Sequence, residues 1–85
     1  MNKYQEAQDV INKMAEVKMQ MNAHKGNIED MEPGDICVAI SDEVSELAAA
    51  FDDQNLLNII EEAADVQNFL LAAVQQAINA YRGRK

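Results

Sequence analysis

Apolar residues recur at helical spacing along almost the whole chain. From about Asn2 to Ala23, Tyr4, Ala7, Ile11, Met14 and Met21 fall at steps of three, four and seven, which predicts an amphipathic first helix. Lys18 interrupts this stripe, so its stem is expected to cover apolar surface with the ammonium outside. Gly26 is a stop signal, and His24 to Gly34 reads as a loop ending in Pro33-Gly34. A second helix is predicted from Asp35, which can cap its first turn, to Phe51, with Ile36, Ile40, Val44, Leu47 and Phe51 as its core stripe. Asp52-Asp53-Gln54-Asn55 breaks the pattern and offers new caps. A third helix follows from about Leu56 to Tyr81, its stripe Leu56, Ile60, Ala63, Leu70, Val74, Ala77 and Tyr81, and Gly83 marks its end. The short link between the last two helices predicts an antiparallel hairpin. No alternation persists, so the fold class is all-α: a helix hairpin plus an N-terminal helix, one domain over residues 1–85.

Length adds a constraint. A chain of 85 residues has a marginal core and needs a staple or a partner. Cys37 is the only cysteine, so no internal disulfide forms; a reducing compartment, the cytoplasm, is expected. No apolar run approaches the ~20 residues of a membrane span, and the N-terminus has no apolar signal-peptide core. The third helix is rich in alanine, which permits close helix approach, and three helices leave apolar surface uncovered. A homo-oligomer whose subunits complete the helix bundle is expected.

Charge is unevenly placed. The net charge of −8 (7 Lys+Arg, 15 Asp+Glu) argues against a nucleic-acid partner. Between Gly26 and Tyr81 there is no Lys or Arg, yet that stretch holds twelve acids. Any partly buried carboxylate there must find its partner on the first helix, the C-terminus, another subunit or a bound cation. At ~100° per residue, Glu43 lies about 75° and Glu46 about 135° from the centre of the second stripe, on one side. Glu62 and Asp65 lie about 100° and 160° from the centre of the third, again on one side. Acids three apart on a helix repel, and a hard divalent cation removes that cost. An antiparallel hairpin would let the two pairs converge; a plain solvated acidic surface is the alternative that periodicity leaves open.

The paired motifs carry a family resemblance. Asp42-Glu43-Val44-Ser45-Glu46-Leu47-Ala48 is followed by Glu61-Glu62-Ala63-Ala64-Asp65-Val66, with fifteen residues between Glu46 and Glu62. This resembles the signature of the all-α nucleoside triphosphate pyrophosphohydrolases, the superfamily of MazG, the dimeric dUTPases, the dCTP pyrophosphatases and phosphoribosyl-ATP pyrophosphohydrolase. It covers roughly Ile36 to Ala77. The resemblance implies a four-helix fold that assembles as a homodimer or dimer of dimers and depends on Mg²⁺, with Mn²⁺ as a substitute. It implies hydrolysis of a (deoxy)nucleoside triphosphate to the monophosphate and pyrophosphate, in nucleotide-pool house-cleaning. Carried over by position, Glu43, Glu46, Glu62 and Asp65 hold the metal; Glu46 and Glu62 are the candidate catalytic residues, and Glu46, if not fully used as a ligand, can accept the water proton.

The chain departs from the pattern in two places. Asp42 stands where Glu is common, and Phe69 stands where phosphoribosyl-ATP enzymes carry a histidine, which disfavours that branch. Phe69 can stack on a base or simply pack; Asn68 can bond a base or sugar edge or stay solvated, and Asn58 and Gln76 share that ambiguity. Lys18 and Arg82 are candidate phosphate contacts, as are Lys13, Lys25, Arg84 and Lys85, although a basic tail also complements the helix dipole. Cys37 is expected to act as a small hydrophobe near the core, and His24 as a solvent-facing loop residue. Four other readings stay open: a phosphoribosyl-ATP pyrophosphohydrolase-like enzyme despite Phe69, a non-catalytic acidic interaction or oligomerisation module, a family member that binds without hydrolysis, and a di-iron bundle, whose usual Glu-x-x-His spacing is absent.

Overall fold

A proline sets where the second helix begins. In the computed structural model, which describes residues 2–23 and 26–83, α1 spans Gln5–Met21, a 3₁₀ turn spans Ile28–Asp30, α2 spans Pro33–Asp52 and α3 spans Leu56–Gly83. Pro33-Gly34 was expected to close the loop. It instead forms the first turn of α2, because proline's fixed φ suits a first helical position and its missing N–H has no partner there to lose. Among the described residues there is no strand, and the protein is all-α. His24, Lys25, Arg84 and Lys85, named above, lie outside the described residues.

Local chemistry fixes the helix ends. Asn2 Oδ1 accepts a hydrogen bond from the Tyr4 N–H (2.7 Å) just before α1. Asn55 Oδ1 accepts one from the Asn58 N–H (3.1 Å) and so caps α3, one of the caps the acidic break offered. The turn into α3 passes through Gln54 at φ +53°, and the chain leaves the first helical region through Gly26 at φ +90°, where glycine carries no steric penalty.

Both other helices pack on α3. The α2–α3 hairpin forms one side, and α1 crosses the middle of α3 on another. Gln67 Nε2 donates to Asn12 Oδ1 (2.9 Å), and Asn68 Nδ2 donates to the Ala15 carbonyl (3.1 Å). Small side chains allow this approach: among the described residues the buried ones are Ala15, Ile36, Ala50, Ala64, Ala72 and Asn68. Of these only Ile36 is large.

The buried faces differ from the apolar stripes. On α2 the inward residues are Ile36, Ala39, Ile40, Glu43, Leu47 and Ala50, while Val44 and Phe51 are exposed. That face is turned roughly 50° from the expected stripe, toward Glu43. On α3 the buried line is Ala64, Asn68 and Ala72. Ile60 and Ala63 of the expected stripe are half-buried, but Leu56, Leu70, Val74, Ala77 and Tyr81 face solvent, Leu56 at 71% and Tyr81 at 67% exposure. The physical reason is that small residues, not large ones, permit the close crossing with α1. Cys37 is likewise exposed rather than set near the core.

Candidate active site

Rotation of α2 toward its acids places Glu43 on the inner side of the hairpin, close to Glu62 and Asp65 of α3. Glu43, Glu62 and Asp65 are all half-buried, and each offers a carboxylate oxygen within 4.8 Å of the other two. Glu43 Oε2 and Glu62 Oε2 are buried and have no hydrogen-bond partner. Glu46 sits beside both Glu43 and Glu62 but is itself exposed. The four motif acids of the two helices are thus gathered at one place, three in a tight group and Glu46 at its edge.

Electrostatics follow from this crowding. Burial, then the neighbouring Glu46, Asp65 and Glu62, pushes the Glu43 carboxyl up from 4.5 to about 7. Burial also raises Glu62, with Glu46 and Asp65 adding to the effect and Lys18 opposing it. Burial raises Asp65 as well, against the pull of Lys18. Lys18 Nζ lies 3.4 Å from Asp65 Oδ2. The expectation of an outward lysine head is therefore corrected: α1 crosses where the ammonium can reach a half-buried acid, and the local charge draws it inward.

The donor set fits a hard divalent cation. All the donors are carboxylate oxygens, two are orphaned and buried, and an ion at about 2.0–2.6 Å from each oxygen spans a group of this width. Among the described residues the group holds carboxylates alone, with no thiolate or imidazole of the kind softer ions prefer.

A cavity of about 860 Å³ opens beside the carboxylates. Glu43, Asp65 and Lys18 lie on its wall, followed by Asn68 and Phe69 on α3. Its remainder is largely apolar, with Met19, Ile28, Met31 and Leu71. The expected substrate residues Asn68, Phe69 and Lys18 are therefore brought to one cavity. Arg82, exposed in the last turn of α3, does not line it. Asn68 is buried with its Nδ2 on the Ala15 carbonyl, which leaves Oδ1 without a donor. The loop contribution to this cavity was not foreseen, since a segment without periodicity gives no sign of which way it faces. Gln76, left open between a substrate contact and a solvated residue, turns to that loop: its Nε2 donates to the backbone carbonyls of Glu29 and Met31.

A helical hairpin whose two acid pairs meet beside one cavity, with Glu43 and Asp65 on its wall, defines a candidate metal-dependent hydrolase of anionic substrates. A model of the phosphoribosyl-ATP pyrophosphohydrolase family matches residues 5–80. The chain belongs to that family, within the MazG-like all-α nucleoside triphosphate pyrophosphohydrolase superfamily. Neither the curated proteins nor the solved structures gave a match. The family points to a pyrophosphohydrolase acting on a nucleotide. It bears the name of the branch that Phe69 argued against, and membership alone does not choose between phosphoribosyl-ATP and another nucleoside triphosphate. No helix among the described residues is long and apolar enough to cross a membrane.

Proposed function

We propose that this protein hydrolyses a (deoxy)nucleoside triphosphate to the monophosphate and pyrophosphate with Mg²⁺ bound by Glu43, Glu46, Glu62 and Asp65. The observation that carries the reading is the pair of orphaned, buried oxygens of Glu43 and Glu62 beside Asp65. Buried acceptors without donors are costly, and two helices aiming them at one point need a cation to offset that cost. When bound there, Mg²⁺ neutralises phosphate charge and lowers the pKa of a coordinated water. Glu46, exposed next to both Glu43 and Glu62, is placed to accept the proton of the attacking water. Lys18 already stands on the cavity wall and supplies a positive charge for a phosphate oxygen. Phe69 and the apolar remainder of the cavity offer surface for a base, and Asn68 offers a polar edge.

The protomer works as part of a homodimer or dimer of dimers in this reading. Leu56, Leu70, Val74 and Tyr81 on α3, with Phe51 on α2, are a surface that a second copy would cover. A cytoplasmic house-cleaning role is the expectation for such an enzyme. The test is a pyrophosphate-release screen over canonical and modified nucleoside triphosphates with Mg²⁺ or Mn²⁺. Turnover of one or more, lost on chelation, supports the reading; no release from any of them would overturn it. Phosphoribosyl-ATP belongs in the same screen because the matched family carries its name. Preference for it would replace the substrate while keeping the reaction.

A further inference from the structure

Among the described residues, the turn between α1 and α2 packs on α3 and is hydrogen-bonded to it by one side chain. Inside the loop, the Asp30 N–H bonds the Asn27 carbonyl (3.2 Å) and the Met31 N–H bonds the Ile28 carbonyl (2.9 Å), which closes the 3₁₀ turn on itself. Among the described residues, the side-chain hydrogen bonds that tie this turn to a helix both come from Gln76 of α3. Its amide nitrogen donates to the Glu29 carbonyl (3.0 Å) and to the Met31 carbonyl, on either side of Asp30. The amide's donors are thereby spent on two carbonyls of one half-buried turn, a fixed fork rather than a swivelling contact.

The gripped segment is a wall of the cavity. Gly26, Asn27, Ile28, Glu29 and Met31 line it, and Gln76 itself does not. Gln76 lies eleven residues beyond Asp65 on the same helix (76 − 65), roughly 16 Å along the axis at 1.5 Å per residue. That is far beyond ligand distance from the carboxylates, yet on the same rigid rod. Gln76 therefore sets where the loop stands relative to the acids.

We propose that Gln76 is a positioning residue for nucleoside recognition: by holding loop 26–31 as the cavity wall, it fixes the space for a flat heterocycle between Ile28 and Met31 of the loop and Phe69 and Leu71 of α3. This rests on the nucleotide reading above. Chemistry at the carboxylates does not involve Gln76, so its loss acts on the nucleoside half alone.

Gln76→Met keeps length and helix propensity but removes both donors; Gln76→Glu keeps shape but turns an oxygen toward two carbonyls. Three readouts separate the outcomes. In both variants amide hydrogen exchange should rise at Asn27–Met31. In calorimetry with Mg²⁺, affinity for nucleoside monophosphates should fall about tenfold, the cost of two ordinary hydrogen bonds, while affinity for inorganic pyrophosphate stays within twofold. In turnover, KM should rise about tenfold with kcat unchanged, and discrimination between bases should narrow. Unchanged exchange in the loop would overturn the latch. A loosened loop with unchanged monophosphate affinity would overturn its role in recognition, as would an equal loss for pyrophosphate. If the wild type binds monophosphates and shows this split but releases no pyrophosphate from any triphosphate, the catalytic reading fails and the loop's role stands. If it binds no monophosphate, both fail.

Discussion

On its buried line α3 carries Ala64, Asn68 and Ala72; where it meets solvent it carries Leu56, Leu70, Val74 and Tyr81. The inner line is small and partly polar, and it opens onto three crowded carboxylates. The outer line is large and apolar, and it contributes little to the protomer's own core. The difference shows that the inward face is shaped for closeness and charge, while the material that ordinarily stabilises a fold lies outside. Hydrophobic burial follows area removed from water, so the outer line stabilises only what covers it.

The comparison can be broken from either side, and the site itself gives the largest effect. Glu62→Gln should lower kcat at least about 100-fold, equivalent to about 3 kcal/mol of barrier, in a Mg²⁺-dependent pyrophosphate-release assay. The fold should persist, and the metal-free variant should melt no lower than wild type above pH 7, because one repelling charge is gone. Surviving turnover would mean that the inner acids are not the site.

The outer face comes next. Leu70→Glu with Val74→Glu places charges on the exposed stripe. If a second copy covers it, gel filtration should shift to the monomer and stability in a denaturant melt should drop by on the order of 3 kcal/mol. An unchanged elution volume would show that the stripe is bare in solution.

The pH response is smaller and separates the two faces without mutation. Glu43 is raised from 4.5 to about 7, and Glu62 and Asp65 are raised too, so the folded state prefers these groups uncharged. Their contribution is complete below about pH 4.5. It is lost as pH rises toward and through about 7, where the folded protein must also ionise. Metal-free protein should lose on the order of 2 kcal/mol over that window, and Mg²⁺ should restore most of it at pH 8. A denaturation series with and without Mg²⁺ reads this directly. Last, Asn68→Ala removes the bond to the Ala15 carbonyl and should cost about 1 kcal/mol in denaturant melts.

The sequence carried the helices and the acid pairs well, because a 3.6-residue period and an i, i+3 spacing are local properties. Their i, i+3 spacing marks Glu43, Glu62 and Asp65 before any contact is known, and the hairpin brings them together. What periodicity does not carry is the phase of each helix within its own protomer. It finds the most apolar face, and on α3 that face is Leu56, Leu70, Val74 and Tyr81, whether another helix or another molecule is to cover it. On α2 the same bias pointed to Val44 and Phe51, away from the inward Glu43. Contacts between distant residues left no local mark either. Gln76 gripping the Glu29 carbonyl, 47 positions away, looks in sequence like any solvated helix residue.

A protomer that keeps four alanines and a single large aliphatic in its interior hands part of its cohesion to mass action. If like molecules supply the missing cover, its midpoint of thermal unfolding will climb with protein concentration, and dilute solutions will hold less of the working assembly than concentrated ones.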